Sequence, residues 1–357
     1  MAEKKGICPD TNHTMSGNPT VAGLMFSIGV VGNLIAFLLL EVHRRREQVR
    51  QRRSLFHILV TVLVVTDLLG TISVSPLVLA SYATNVSLVG MNKDKYVCTY
   101  FGFSMTFLSL STLAILFTMA LERWISIGHP YFYERHVTKR YGYISVAFIF
   151  IVSICFSVLP LINFGEFVQY CRGTWCFIHM QHEMIQHKVY AILYATIMLL
   201  MISSTVLCNV SVICHLVLMY RRRKLHQGSV AKRSRRFKRS MSEEVEHMIL
   251  LVFMTVAFVI CSVPLMIRVC IRTASNYEGG SENDLRALHL LSVNPIIDPL
   301  VYIILNPSVL RFLRRNLCKQ AQRSRHGVDE DVGTPSRLSN HSSSVELSKF
   351  QIIQWVN

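Results

Sequence analysis

Acidic and amide side chains lie inside otherwise apolar runs of this sequence. Asp67 lies in TDLLG and Asn33 in GVVGNLIA, while Asn294 and Asp298 both belong to NPIIDPLVY. Polar groups are costly in hydrocarbon, so they are usually kept for a function. We expect the four side chains to converge in one polar network. That network either binds a sodium ion through its oxygens or is closed by its own hydrogen bonds.

A second ionic group has the pattern of a switch. Glu122 and Arg123 are adjacent at the end of one apolar run, and Glu244 precedes another. An arginine at such a boundary either extends to the aqueous interface or pairs with an acid on a neighbouring segment. We expect Arg123 to pair with Glu244 in a closed state and to leave it in an open state, while Tyr302 repacks.

Two histidines in HEMIQH faintly resemble a zinc protease box. His182 and His187 are five residues apart, whereas the histidines of HExxH are four apart and share one helical face. The sequence also contains no CxxC pair and no Cys/His cluster with zinc-ligand spacing. We therefore predict that the chain is not an enzyme and has no metal-dependent catalytic site.

Long apolar blocks must position these polar groups. Hydrophobic residues make up 51% of the chain and charged residues 16%, and the mean hydropathy is +0.38. Seven blocks are long enough to cross about 30 Å of hydrocarbon, and backbone bonding in lipid requires each to be helical. This predicts an all-α membrane protein, a seven-transmembrane helix bundle over 21–306. The spans are placed at about 21–42, 55–82, 98–124, 141–163, 189–220, 247–272 and 284–306.

The connections between the blocks predict the orientation. Most of the 37 lysines and arginines fall in 43–53, 125–140, 221–246 and the tail after 307, all on one side. The positive-inside rule places that side in the cytosol and the N-terminus, 1–20, outside the plasma membrane. The sequons at Asn12 and Asn85 are then open to glycosylation. The basic runs are topology and lipid headgroup signals, and without an aromatic stacking platform they do not indicate nucleic acid.

The C-terminal part of the chain follows the last span. Residues 307–319 place apolar side chains on one helical face and basic side chains on the other, which predicts a short amphipathic eighth helix in the membrane interface. Cys318 at its end is either palmitoylated or a plain thiol. Residues 320–357 are polar and rich in serine, and we expect a disordered cytoplasmic tail.

Taken together, these motifs resemble rhodopsin-like (class A) G-protein-coupled receptors. The matching pieces are Gly32-Asn33, TDLL at 66–69, ERW at 122–124 in place of DRY, and DPLVY at 298–302 in place of NPxxY. The resemblance covers about residues 20–320. It implies a disulfide between Cys98 and Cys176 and a heterotrimeric G protein as partner, with arrestin and receptor kinases as further candidates.

Within that class the chain is similar to the prostanoid receptors. The outer loop has the GTWCF run, the sixth span has CSVP, and MALERWISIGHPYFY and SLFHILVTVLVVTDLLGT agree with receptors for prostaglandin E2, subtype 2. The resemblance implies a prostaglandin ligand, coupling to stimulatory G protein (Gs) and a rise in cyclic AMP. Receptors for prostaglandin D2 are the alternative.

The family's ligand residues transfer only in part. Thr174 in GTWCF, Tyr82 in LASY and Ser292 match positions that bind the ligand in the family. His289 stands where the family has an arginine that pairs with the ligand carboxylate, and Arg286 lies three residues earlier on the same helical face. Our hypothesis is that Arg286 supplies the charge and His289 a hydrogen bond. The alternative is that Arg286 extends outward and that the ligand differs.

A second outer disulfide is also expected. Cys8 and Cys171 both lie on the outer side, where cysteines tend to pair because the environment is oxidising. Related prostanoid receptors join the N-terminus to this loop in the same way, so the resemblance implies a lid over the pocket.

Other receptor classes fit less well. Residues 284–306 contain no lysine for an opsin Schiff base, and residues 98–121 contain no acid for an amine ligand. A peptide receptor stays open because the outer loops carry mixed charges. A membrane transporter is the alternative from a different class, although we find neither inverted repeats nor a polar-lined path.

Overall fold

The structure is a computed structural model. It describes residues 19–49, 55–92, 94–171, 173–180, 184–226, 234–274 and 281–305. Cys8, Asn12, Cys318, the eighth helix predicted at 307–319 and the tail from 320 lie outside the described residues, as do most residues of the predicted N-terminal segment 1–20.

Helices and one hairpin make up the described chain. The hairpin has two strands, β1 (Phe167–Tyr170) and β2 (Trp175–Ile178). A 3-10 turn, Leu159–Ile162, follows the fifth helix. The helices are α1 (Pro19–Val49), α2 (Leu55–Thr84), α3 (Tyr96–Gly128), α4 (Pro130–His136), α5 (Lys139–Val158), α6 (Ile185–His226), α7 (Ser234–Ala274), α8 (Ser281–Leu291) and α9 (Asn294–Leu305).

Within the described residues, seven helical segments are long and apolar enough to cross a membrane, which confirms the predicted number of spans. They agree with the predicted positions to within a few residues. The segments are Pro19–Val42, Leu55–Thr84, Tyr96–Gly128, Arg140–Ile162, Ile185–Arg222, Val245–Thr273 and Asn283–Leu305. The chain is therefore a multi-pass membrane protein with an all-α core.

The distribution of apolar side chains is that of a bundle in lipid. Leu38, Phe148 and Leu207 are 62%, 66% and 69% exposed, although all three lie in membrane spans. Such exposure is costly in water but favourable against lipid tails. The interior is centred on α3, which packs against α2, α5, α6 and the hairpin. A polar side chain on α3 therefore faces several neighbouring helices at once.

The seventh span differs from the single helix that we predicted over 284–306. It consists of α8 and α9, which are separated by a turn at Ser292 and Val293. Proline disfavours helical backbone in the residue before it and has no N–H to donate. Pro295 therefore weakens the helix at this point, where the Val293 N–H donates to the Leu290 carbonyl three residues back. The hydroxyl of Ser292 donates to the His289 carbonyl oxygen at 2.6 Å and helps to stabilise the break.

The β-hairpin was not foreseen. β1 and β2 pair antiparallel, with Gln169 opposite Cys176. The turn between them contains Gly173 at φ 75°, a conformation that favours glycine. The predicted disulfide joins Cys176 on β2 to Cys98 at the start of α3, with an S–S distance of 2.05 Å. The hairpin is thereby attached to the central helix of the bundle.

Candidate functional site

A cavity of about 530 Å³ opens among the helices beneath the hairpin. Its lining comes from α1, α2, α3, α7, α8 and α9, together with Trp175 of β2, and most of these side chains are apolar. Four of the predicted ligand residues line it, namely Tyr82, Arg286, His289 and Ser292. A mostly apolar pocket with a few polar groups is typical of a site for a small amphipathic molecule.

Thr174, the fifth predicted ligand residue, is buried in the hairpin turn and is not among the lining side chains. Its neighbour Trp175 lines the cavity instead. The Trp175 and His289 rings meet edge to face with centroids 4.9 Å apart, and on another side Trp175 meets Phe101 of α3 at 5.4 Å. Sequence reasoning missed Trp175, although it lies inside the GTWCF run.

The two basic candidates at this end of the cavity differ in exposure. Arg286 and His289 are one helical turn apart on α8, and both line the cavity. Arg286 is exposed, whereas His289 is partly buried against Trp175. The guanidinium therefore lies at the mouth of the cavity and the imidazole deeper inside it.

A hydroxyl pair lies at the wall of the cavity between α3 and α6. Ser109 of α3 lines it, and the Ser109 and Tyr194 hydroxyl oxygens are 2.9 Å apart. Tyr194 belongs to α6 and is fully buried. The pair joins α3 to α6, and Ser109 is a polar residue of the lining that we did not predict.

Two of the four residues of the predicted polar network, Asp67 and Asn294, lie at the far end of the same cavity. Asp67, Thr112 and Asn294 line it there, and the Thr112 hydroxyl donates to Asp67 Oδ1 at 3.4 Å. Asn294 Nδ2 donates to the Ser262 hydroxyl oxygen at 3.3 Å. One cavity is thus lined by four of the five predicted ligand residues and by Asp67, which sequence positions alone did not show.

The other two residues of the predicted network, Asn33 and Asp298, lie on α1 and α9 and are not among the lining residues of the cavity. Asn33 Nδ2 donates to the Pro295 carbonyl at 2.9 Å, so it links α1 to the start of α9. Asp298 is buried on α9. Three buried oxygens in this region have no hydrogen-bond partner among the described residues: Asp67 Oδ2, Asp298 Oδ2 and Asn33 Oδ1. Unpaired acceptors of this kind fit a small hard cation.

A transition-metal centre has no support in the described ranges. Among residues 19–49, 55–92, 94–171, 173–180, 184–226, 234–274 and 281–305, no group of three or more His, Cys, Asp and Glu side chains is placed to hold a metal ion.

The opposite end of the bundle carries the predicted switch residues. Arg123 Nε and one terminal nitrogen donate to the two Glu122 carboxylate oxygens at 2.6 and 2.7 Å. The Tyr133 hydroxyl of α4 donates to Glu122 Oε1 at 2.6 Å, and Arg123 lies 4.9 Å from the Phe56 ring centroid. Tyr133 and Phe56 were not predicted as partners. The Glu244 side chain lies outside the described part, so its pairing with Arg123 stays a prediction, and Tyr302 is buried on α9.

An ionic group at the hairpin end was also missed. Arg268 Nε and Arg272 Nη2 of α7 lie 2.7 and 2.6 Å from the two Asp284 carboxylate oxygens on α8. Asp284 and Arg272 are both buried. Burial, together with the Asp284 carboxylate, raises the pKa of the nearby Tyr170 phenol, which donates to the Ile178 carbonyl at 2.8 Å. The group joins α7 to the helix that carries Arg286 and His289.

The remaining predicted sites are described only in part. Cys171 is disulfide-bonded, but Cys8 lies outside the described residues, so the Cys8–Cys171 pairing stays a prediction. Asn85 occupies an exposed turn at φ 52°, where a sequon would be accessible. Its glycosylation, like that of Asn12 and the palmitoylation of Cys318, stays a prediction.

Comparison with known proteins agrees with this arrangement. The family described as "7 transmembrane receptor (rhodopsin family)" matches residues 32–302. The Prostaglandin E2 receptor EP2 subtype of Homo sapiens is 47% identical over 341 residues, which cover 91% of this chain and 93% of the relative. The same receptor subtype of Mus musculus is 44% identical and covers 94% and 95% of the two chains.

A second type of receptor and a solved structure are also similar to this chain. The Prostaglandin D2 receptor of Homo sapiens is 39% identical, covering 93% of this chain and 98% of the relative. Squid rhodopsin superimposes with a TM-score of 0.71 at 12% identity, covering 93% of this chain and 90% of that one, so it supports the fold alone. The family is one of receptors and not of enzymes. The chain belongs to the rhodopsin family of seven-transmembrane receptors, in the branch of the prostaglandin receptors.

Proposed function

We propose that this chain is a plasma-membrane receptor for prostaglandin E2 that activates Gs and raises cyclic AMP. The observation that carries the proposal is the single cavity that runs from Arg286 and His289 to Asp67 through an apolar middle. The printed names of the relatives supply the ligand class. The hairpin end faces outward in this proposal, as the basic connections at the other end indicate.

The cavity suits an elongated fatty acid. The ligand carboxylate lies near Arg286, His289 and Tyr82, which offer donors at the mouth. The chain of the ligand packs among the apolar side chains of α2, α3 and α7, including Val78, Met105 and Phe258. The Ser109–Tyr194 pair offers a hydrogen bond to a ligand hydroxyl.

Signal transfer depends on a shift between two arrangements of the bundle. The ligand binds the open arrangement more tightly than the closed one. The fraction of receptors in the open arrangement therefore rises, by an amount set by the difference between the two affinities. The end of α7 that is on the same side of the bundle as Arg123 of α3 then moves outward. Arg123 leaves its acidic partners as α7 moves. A G protein binds the cavity that opens there, next to α4 and the basic loop between α6 and α7.

A sodium ion is proposed for the polar end of the cavity. Asp67 and Asp298 would hold it, with Asn33 and Thr112 nearby. The ion would neutralise buried carboxylates in the closed arrangement.

A panel of prostanoids tests the proposal directly. Cells that express the chain are exposed to prostaglandins E2, D2, F2α and I2, and cyclic AMP is measured. Prostaglandin E2 is expected to be the most potent. A higher potency of prostaglandin D2 would favour the alternative ligand, and no rise with any prostanoid would contradict the proposal. Antibody access to epitope tags at the two ends of the chain tests the orientation.

A further inference from the structure

The mouth of the cavity has little fixed charge. Two of the described lining residues carry a formal charge, Arg286 at the mouth and Asp67 at the far end. Beside Arg286 lie His289 and Tyr82, an imidazole and a phenol that offer hydrogen bonds. Any preference for an anionic ligand at this end therefore depends on one guanidinium.

The Arg286 guanidinium is poorly placed to exclude ligands that lack a negative charge. Arg286 is exposed, and an ion pair in water contributes little because solvent screens it. An exposed pair of this kind changes affinity by about tenfold or less, whereas a buried one changes it more than a hundredfold. Arg286 thus attracts an anion without excluding an uncharged ligand.

The deeper group at the mouth is an imidazole in a constrained position. Trp175 meets the His289 ring edge to face at 4.9 Å, and Trp175 itself contacts Phe101 at 5.4 Å. The neighbouring Cys176 is bonded to Cys98. A neutral imidazole in this position offers a hydrogen bond to a carboxylate, an amide or an alcohol alike.

We propose that the site accepts uncharged derivatives of its fatty-acid ligand, such as amides and primary alcohols at C1, nearly as well as the free acid. This inference rests on the proposed function and concerns the same cavity. His289 and Tyr82 bind the oxygen at C1 in both forms, and Arg286 adds only the weak preference for the acid.

Competition binding tests this on membranes from cells that express the full chain. Radiolabelled prostaglandin E2 is displaced by unlabelled prostaglandin E2, by its primary amide and by its C1 alcohol, neither of which yields the acid readily. In the wild type, the neutral forms are expected to bind within about tenfold of the acid. A ratio above a hundredfold would overturn the inference, and binding of neither acid nor neutral form would overturn the proposed function itself.

Three variants separate the contributions. His289→Gln keeps a donor without a charge, so the acid-to-amide ratio stays near that of the wild type; a large loss of acid affinity alone would show that His289 acts as a cation and would overturn the inference. Arg286→Gln is expected to bring the ratio of acid affinity to amide affinity close to one. A ratio that stays above tenfold in this variant would also contradict the inference. His289→Arg places a guanidinium deeper, and the ratio rises above a hundredfold. Surface antibody binding to each variant verifies that it reaches the membrane.

Discussion

The side chains of Asn209 on α6 and Thr255 on α7 form a hydrogen bond across the helix interface. Asn209 Nδ2 donates to Thr255 Oγ1 at 2.9 Å, and Thr255 in turn donates to the Leu251 carbonyl of its own helix at 2.8 Å. Both residues are buried. An outward movement of α7 would break this contact, so it stabilises the arrangement described here.

Thr255→Val is expected to raise basal cyclic AMP. The substitution removes the acceptor for Asn209 and leaves a buried donor unpaired, which costs about 1 kcal/mol and shifts the two-state population about fivefold. Thr205→Val is the matched control, because the buried Thr205 hydroxyl donates to the Met201 carbonyl within α6 and to no other helix among the described residues. Equal basal cyclic AMP in the two variants, at equal surface expression, would contradict the role of the contact.

Asp284→Asn is expected to lower the thermal stability of the receptor. It leaves Arg272 buried without its carboxylate, and breaking a buried pair costs about 3–5 kcal/mol. Thermal unfolding in detergent measures the effect. Glu166→Gln is the control, because the Glu166 side chain is 45% exposed and lies 3.3 Å from His179. If Asp284→Asn unfolds at the same temperature as the control, the ionic group has no structural role.

Gly165→Ala is expected to destabilise the fold by roughly 2 kcal/mol or more, through strain and overpacking. Gly165 has φ 114°, and an added Cβ would lie 2.6 Å from Cδ1 of the buried Tyr190 ring. Gly23→Ala is the matched control, because no atom lies within 4 Å of a Cβ added there. Thermal unfolding of both variants provides the comparison, and a stable Gly165→Ala receptor would show that the loop adjusts freely.

Sodium is expected to weaken agonist binding through the polar end of the cavity. Agonist affinity on membranes is measured in sodium chloride and in N-methylglucamine chloride of equal ionic strength. The agonist affinity of the wild type is expected to be lower in sodium chloride than in N-methylglucamine chloride. Asp298→Asn is expected to abolish this difference between the two salts, because one buried carboxylate is lost. Sodium-independent binding by the wild type would favour the alternative, a network without an ion.

The sequence by itself determined the number and approximate position of the seven spans and the helical state of the first six. Apolar blocks of sufficient length have one stable form in lipid, so α1 to α3 and the later spans follow from local composition. The polar positions Asp67, Asn33, Asn294 and Asp298, and the bond between Cys98 and Cys176, were also predicted, because they stand out from their surroundings or match family motifs.

Only the tertiary structure decided which of these residues meet. Residues far apart in sequence line one cavity because the helices pack side by side, and neither periodicity nor composition contains the rotation of each helix about its axis. The contact of Trp175 with His289 and the Arg268–Asp284–Arg272 group depend on that packing. Contacts between helices that are distant in sequence are set by the assembled bundle. The pattern of residue types along the chain therefore did not reveal them.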